Sequence, residues 1–343
     1  MKAVRMTGIH QPVKMMEISV PETGPKDVLV KIKAAGICHS DVHYLEGVSP
    51  QAFLPITLGH EVSGVIEKIG SEVKNRKIGE RVCIHYNISC GECQYCLSGN
   101  DQFCPEAKMI GHHLDGGYAE YIAVPARNAI HLPDEISFEE GATLMCASAT
   151  SFHALLKARI KAGDKVAIFG AGGLGQSAVQ LAATLGATKV FAVDLNDEKL
   201  KLAQKNGAIP INAKELNPVE EIKKLNNGKG VDISLELIGL PQTQKQAINS
   251  VGPLGRVVFV GLASKSIEVD TYREVLANEA ELIGSNDHLL TELPLLIDFA
   301  KNKQLDTSSV VSKTIPLDEE LINQALKKLS EYSGKSVRTV IVP

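Results

Sequence analysis

The sequence predicts a two-domain α/β protein, a doubly wound parallel sheet joined to a compact β-rich barrel. Three observations carry this. From Asp164 onward, short apolar strands alternate with helical segments, and parallel strands need crossover helices between them. The turn Gly170-Ala-Gly172-Gly-Leu-Gly175 lies between the first of these strands and the helix that follows. The first 150 residues instead hold short runs of β-branched residues bounded by Gly, Pro or Asp. At 343 residues the chain is long enough for two domains, each closing its own core.

In chain order, residues 28–34, 62–69, 81–85 and 118–124 are expected as strands, joined by irregular loops of the kind that carry function. Residues 137–157 turn helical behind Ser137-Phe-Glu-Glu140, a capping box in which serine and glutamate satisfy each other's end of the first turn. Lys165-Val-Ala-Ile-Phe169 is a continuous apolar strand, and Leu174, Ala178, Leu181 and Leu185 share one helical face after it. Strands at 189–193, 231–235 and 256–260 follow, with helices at 197–206, 217–225 and 241–250 between them. The tail runs through helices near 290–302 and 318–329 to a last strand, 337–342. The expected division is 1–150 with 286–343, and 151–285.

The glycine turn has the context that gives its pattern meaning: a strand before, a helix after, and Asp194 at the end of the next strand, nineteen residues past Gly175. Glycines let a pyrophosphate approach the backbone, and the helix start offers free N–H groups and partial positive charge. Gly170, Gly172, Gly173, Leu174 and Gly175 are therefore expected to hold a dinucleotide. Asp194 would accept hydrogen bonds from the adenosine ribose and repel a 2′-phosphate, which selects NAD over NADP because no arginine follows it. Its alternative is a turn or helix-cap aspartate. Lys199, one turn further, either reaches the same ribose or is a solvated helix lysine.

Composition narrows the partners. Thirty-six Lys and Arg against forty Asp and Glu leave a net charge of −4, without the basic excess of a nucleic-acid binder. No stretch approaches the roughly 18 apolar residues of a membrane span, and the Met-Lys start lacks an apolar signal run, so a cytoplasmic location is expected. Seven cysteines, an odd number clustered in a chain without an export signal, favour metal over disulfides.

Cys90, Cys93, Cys96 and Cys104 fall within fifteen residues. Four thiolates on short tethers close a tetrahedral zinc shell with no open position, which describes a structural site. A second constellation is dispersed: Cys38-His39-Ser40-Asp41-Val-His43, Gly59-His60-Glu61 and Cys146. Taken singly, each has a bland reading, a helix cap for Ser40, a surface position for His43 or His39, a buried small hydrophobe for Cys146. Only the set is informative.

Those motifs, with Asp115-Gly-Gly-Tyr-Ala-Glu-Tyr121 and Val337-Arg-Thr-Val340, resemble the zinc-dependent medium-chain alcohol dehydrogenases over nearly the whole chain. The resemblance implies a GroES-like catalytic barrel, a Rossmann domain for NAD, and two zinc ions per chain. It gives the catalytic zinc to Cys38, His60 and Cys146, with Glu61 behind the metal as a transient ligand and Asp41 orienting the histidine. A zinc-bound alkoxide would pass hydride to the nicotinamide, with Ser40 taking the alcohol proton and His43 releasing it to solvent.

By the same likeness Thr150, Val260, His39 and Arg338 would contact the cofactor, Arg338 at the pyrophosphate, and Tyr86 would limit alcohol size. Cys146 stands where polyol dehydrogenases commonly carry glutamate, which favours simple primary or secondary alcohols. Ser285-Asn-Asp-His288 departs from the family in being polar where relatives are largely apolar. The likeness also implies a homotetramer or homodimer. The competing readings are a polyol or amino-alcohol dehydrogenase on the same scaffold, and a non-catalytic nucleotide-binding zinc protein.

Overall fold

The structure, a computed structural model, describes residues 1–49, 51–331 and 337–343. It contains two compact units: Met1–Cys146 with Leu289–Asn302 and Val310–Pro343, and Ala147–His288 with Lys303–Ser309.

The first unit begins with β1 (Lys2–Met6), β2 (Lys14–Glu17) and β3 (Asp27–Ile37), then a short helix α1 (His39–Leu45). Next come β4 (Ile56–Thr57), β5 (Glu61–Ile69), β6 (Arg81–Ile84) and β7 (Asn87–Ile88). A cysteine-rich loop with α2 (Gln94–Leu97) and a 3-10 turn, Asp101–Phe103, leads to β8 (Lys108–Met109), β9 (Tyr121–Pro125), β10 (Ala129–His131) and α3 (Phe138–Thr143).

The second unit holds α4 (Ala149–Lys157), β11 (Lys165–Phe169), α5 (Gly173–Thr184), β12 (Lys189–Asp194), α6 (Asp197–Lys205) and β13 (Ile209–Asn212). It continues with α7 (Pro218–Leu225), β14 (Val231–Glu236), α8 (Pro241–Ser250), β15 (Val251–Phe259) and β16 (Glu281–Gly284). The chain then completes the first unit with α9 (Leu293–Lys301), β17 (Val311–Pro316), α10 (Glu319–Ser330) and β18 (Arg338–Val342).

β3 organises the barrel. It pairs along one edge with β5 and along the other with β9 and then β18, in the order β10-β6-β5-β3-β18-β17. Two register shifts against β5, between Leu29 and Val30 and between Ile32 and Ala34, bend the strand so that it can serve three partners. Val28, Val30, Ile32, Val62, Ile66 and Ile84 form the core, and Cys38, Tyr86, Tyr118 and Cys146 belong to the same buried cluster.

In the second unit six parallel strands run β13-β12-β11-β14-β15-β16. The order reverses between β11 and β14, and ligands of such sheets sit outside the carboxyl ends of the strands at that point. Ala167, Phe169, Phe191, Val193 and Val257 fill the core beneath.

Some expectations need correcting. Helix 137–157 is interrupted by a π-helical turn at Leu144–Ser148, which separates α3 from α4. The strand expected from residue 118 starts at Tyr121. β13 is not among the expected strands; its Pro210 is tolerated because β13 is the sheet edge. Lys303–Ser309 belongs with the second unit rather than with the tail: Gln180 donates to Asp306 O at 3.1 Å and accepts its N–H at 2.7 Å, and Thr184 donates to Gln304 O at 2.7 Å. Among the described residues no helix is long and apolar enough to cross a membrane.

The capping box forms as read: Glu140 N–H donates to Ser137 Oγ at 3.2 Å, and Ser137 N–H donates to Glu140 Oε2 at 2.9 Å. Ser137→Ala is expected to cost about 1 kcal/mol, and Ser137→Asp to retain most of it, in urea unfolding followed by circular dichroism.

Candidate active site

Strand register assembles the site. β3 ends at Ile37 and hands Cys38 to the N-cap of α1; Gly36, two residues back, faces Glu61 at the start of β5. On the other edge of β3, β18 sets Thr339 opposite Ile37, so Arg338 begins its strand beside the same corner. Cys146 arrives separately, on the π-helical turn, a distortion often found at functional sites.

Cys38, His60, Glu61 and Cys146 are all buried, and each offers a ligand atom within 4.8 Å of the others. The sulfurs of Cys38 and Cys146 stand 3.9 Å apart. That is far beyond the roughly 2.05 Å of a disulfide. It matches two sulfurs on one tetrahedral zinc, about 3.8 Å apart for bonds of about 2.3 Å. Neither ring nitrogen of the buried His60 has a hydrogen-bond partner. An orphaned imidazole beside two sulfurs fits a metal.

The surrounding groups fix the ligands. Asp41 Oδ2 accepts the Cys38 N–H at 2.8 Å and the Tyr118 hydroxyl at 2.7 Å, while Oδ1 faces His60 Nδ1 at 3.7 Å. With Nδ1 turned to Asp41, Nε2 is left for ligation. Burial disfavours the His60 imidazolium, but the Cys38 sulfur and Asp41 outweigh it and raise its pKa. Burial and Asp41 raise Tyr118, so the phenol stays protonated and donates. Tyr118 lies inside the Asp115–Tyr121 motif, but nothing in the sequence tells which carboxylate it holds.

Glu61 is sealed from solvent, and burial lifts its carboxyl to about 8 against the pull of Arg338. Arg338 Nη2 lies 3.0 Å from Glu61 Oε1, and Nη1 donates to Ile37 O at 3.2 Å. The β18 register turns the Arg338 guanidinium into the corner with Glu61, a partner the sequence does not suggest.

Ser40, on the first turn of α1, places Oγ 3.7 Å from Cys38 Sγ, and the N-cap position belongs to Cys38 rather than to Ser40. His43 follows three residues on, half-buried, its ring 5.1 Å from that of His39. Tyr86 is buried and meets the His60 ring edge-on at 5.2 Å.

The four-cysteine loop also closes on itself. Cys90 and Cys96 sulfurs are 3.9 Å apart and Cys93 and Cys96 3.6 Å, with all four cysteines free of disulfides. Backbone N–H groups point at sulfur: Gly91 to Cys96 and Cys93 to Cys90, both at 3.3 Å. The N–H groups of Glu92 and Cys93 draw the Cys90 thiol down to about 7, while burial lifts Cys104 to about 11.

In the second unit Gly170 takes φ +103°, and a side chain on Gly175 would strike the Gly170 carbonyl. Gly172 caps α5 with open space where a Cβ would stand, and no side chain caps the helix, so its first amides are available to an anion. Asp194 Oδ2 accepts the Ala171 N–H at 2.8 Å, and Oδ1 accepts those of Leu195 and Asn196 at 2.7 and 2.9 Å. Asp194 is thus a turn aspartate that ties the glycine turn to the end of β12. The α6 cap itself is Asn196. Lys199 is half-buried on α6, Thr150 buried on α4, and Val260 donates its N–H to Glu236 O at 2.9 Å. Gln176, not singled out by sequence, donates to Ala171 O and Lys199 O, each at 2.9 Å, bracing turn against helix. Ser285 and His288 are buried just past β16.

Comparison with known proteins agrees with this construction. Residues 24–134 match the alcohol dehydrogenase GroES-like domain, and residues 173–302 match the zinc-binding dehydrogenase family. An alcohol dehydrogenase of Geobacillus stearothermophilus is 38% identical over 90% of this chain and 91% of its own length. An NAD-dependent alcohol dehydrogenase of Sulfurisphaera tokodaii is 33% identical over the full length of both. The structure of the alcohol dehydrogenase from Aeropyrum pernix superposes with a TM-score of 0.91 at 32% identity, covering 100% of both chains. A sorbitol dehydrogenase of Bacillus subtilis aligns too, at 30% identity over 100% of this chain and 97% of its own. The chain belongs to the zinc-dependent medium-chain alcohol dehydrogenase family, and is an oxidoreductase of that NAD-dependent group.

Gly59 holds φ +94°, and a side chain there would run into the Tyr118 ring. Gly59→Ala is therefore expected to destabilise the first unit by more than about 1 kcal/mol in urea unfolding, with most of the loss persisting when Tyr118 is also replaced by Ala, because the backbone strain remains.

Proposed function

We propose that the protein oxidises simple primary or secondary alcohols to aldehydes or ketones with NAD, reversibly, using one catalytic and one structural zinc per chain. The observation that carries this is the buried meeting of Cys38, His60 and Cys146, three ligands that leave a fourth position for substrate. Bound there, zinc supplies Lewis acidity to an alcohol oxygen, and NAD bound at the glycine turn supplies the hydride acceptor.

The chain's own groups do the rest. Asp41 holds His60 in the ligating orientation, and its bond to the Tyr118 hydroxyl holds Asp41 in turn. Glu61, with Arg338 offsetting its charge, stands behind the three ligands as a fourth donor that can approach when the open position empties. Ser40 accepts the proton leaving the alcohol as its own hydroxyl proton moves on toward His43, on the same face of α1, which releases it to water. Cys90, Cys93, Cys96 and Cys104 hold the structural ion and leave it no open position.

Asp194, anchored by Ala171 N–H, directs carboxylate charge at the adenosine ribose and excludes a 2′-phosphate. Lys199, Thr150, His39, Val260 and Arg338 complete the cofactor contacts. Tyr86 bounds the alcohol from beside His60. A cytoplasmic homotetramer or homodimer is the assembly this reading carries. The polyol alternative has less support, since Cys146 supplies a thiolate where those enzymes commonly use glutamate.

Metal analysis of the purified protein should find two zinc per chain. Cys146→Ala should retain one and lose alcohol oxidation by at least about 10³-fold, since the Lewis acid is gone. One zinc or none in the unaltered protein refutes the paired sites. Asp194→Gly should shift the kcat/KM ratio toward NADP over NAD by at least about tenfold, and an unchanged ratio removes Asp194 from cofactor selection.

A further inference from the structure

Behind Tyr86 lies a polar pair with no part in the chemistry above. His85 is fully buried and Asp101 nearly so, with His85 Nε2 3.2 Å from Asp101 Oδ2. Burial opposes a charge on Asp101, but the His85 ring and the Leu290 N–H, 3.4 Å from Oδ1, outweigh it and hold the carboxyl below its usual range. The carboxylate therefore accepts and His85 donates.

Each partner is tied to something that matters. Asp101 opens the 3-10 turn that delivers Cys104, and the Cys104 N–H donates to Asp101 O at 3.1 Å. His85 stacks on Tyr86 with ring centroids 6.0 Å apart and planes at 25°, and Tyr86 presents its ring to His60 at 5.2 Å. The His85 backbone is clamped by Asn128, which accepts its N–H and donates to its carbonyl, both at 2.9 Å. An apolar pair would fill this space without desolvation cost, so burial of a polar, hydrogen-bonded one points to positional specificity.

We propose that Asp101 and His85 are positioning residues through which the four-cysteine loop fixes the Tyr86 ring beside His60, and so sets the size of alcohol the site admits. The inference rests on the alcohol-oxidation reading and deepens it. A ring held from behind at one depth defines a pocket wall; a ring released from its stack does not.

The test compares the zinc-loaded protein with Asp101→Asn, His85→Leu and the double variant on ethanol, hexan-1-ol and benzyl alcohol. Both single variants should keep two zinc per chain and move the benzyl alcohol to ethanol ratio of kcat/KM by about tenfold, mainly through KM. The double variant should be no worse than the worse single one, as for two members of one contact. His85→Gln, which keeps an N–H near the Nε2 position, should restore part of the ratio and serves if Asp101→Asn fails to fold. In a chain with seven tyrosines and no tryptophan, near-ultraviolet circular dichroism reports the same ring displacement directly. A ratio within twofold of the unaltered protein, or an equal fall in kcat for every alcohol, overturns the proposal while leaving alcohol oxidation intact. If the unaltered zinc-loaded protein oxidises none of the three alcohols, both readings fall.

Discussion

The pairing of β5 and β18 against opposite edges of β3 is the constraint on which the rest depends. It brings residues from sequence positions about 36, 61 and 338 to one buried corner before any side chain is considered. A slip of one residue in either ladder would turn Glu61 or Arg338 to the other face of the sheet and leave its partner as an uncompensated buried charge. The candidate site is thus written into hydrogen-bond register, and Cys38 and Cys146 share one packed cluster with the barrel core.

Placing ionisable groups in that core needs compensation, and the structure supplies it in a nested way. Glu61 answers Arg338, Asp41 answers His60, and Tyr118 and the Cys38 amide answer Asp41. Every member is held by another that is itself held. Such a network holds the Cys38 and His60 side chains in place, which would lower the ordering that binding an ion there must otherwise impose.

The parallel sheet is legible in the sequence because period and punctuation agree: β11 is a continuous apolar run, α5 keeps its stripe, and the glycine turn sits between them. The two candidate metal-ligating clusters are legible because cysteine and histidine are rare and chemically specific, so type and spacing narrow the options. What escapes is set by distant partners. α1 is too short to show a helical period, β13 carries a proline that only its edge position excuses, and the π-helical turn at Cys146 has no propensity signature. The carboxylate partner of Arg338 is hidden from the sequence too, because only the β3–β18 register brings it beside Glu61. Tyr118, Gln176 and the His85–Asp101 pair cannot be matched to their partners from one dimension at all.

The two metal-ligating clusters differ in how they meet the outside. Three of the four loop cysteines are partly open to solvent, whereas every member of the Cys38 cluster is buried. A chelator or oxidant arriving from solution therefore encounters the loop sulfurs before it reaches the Cys38 cluster.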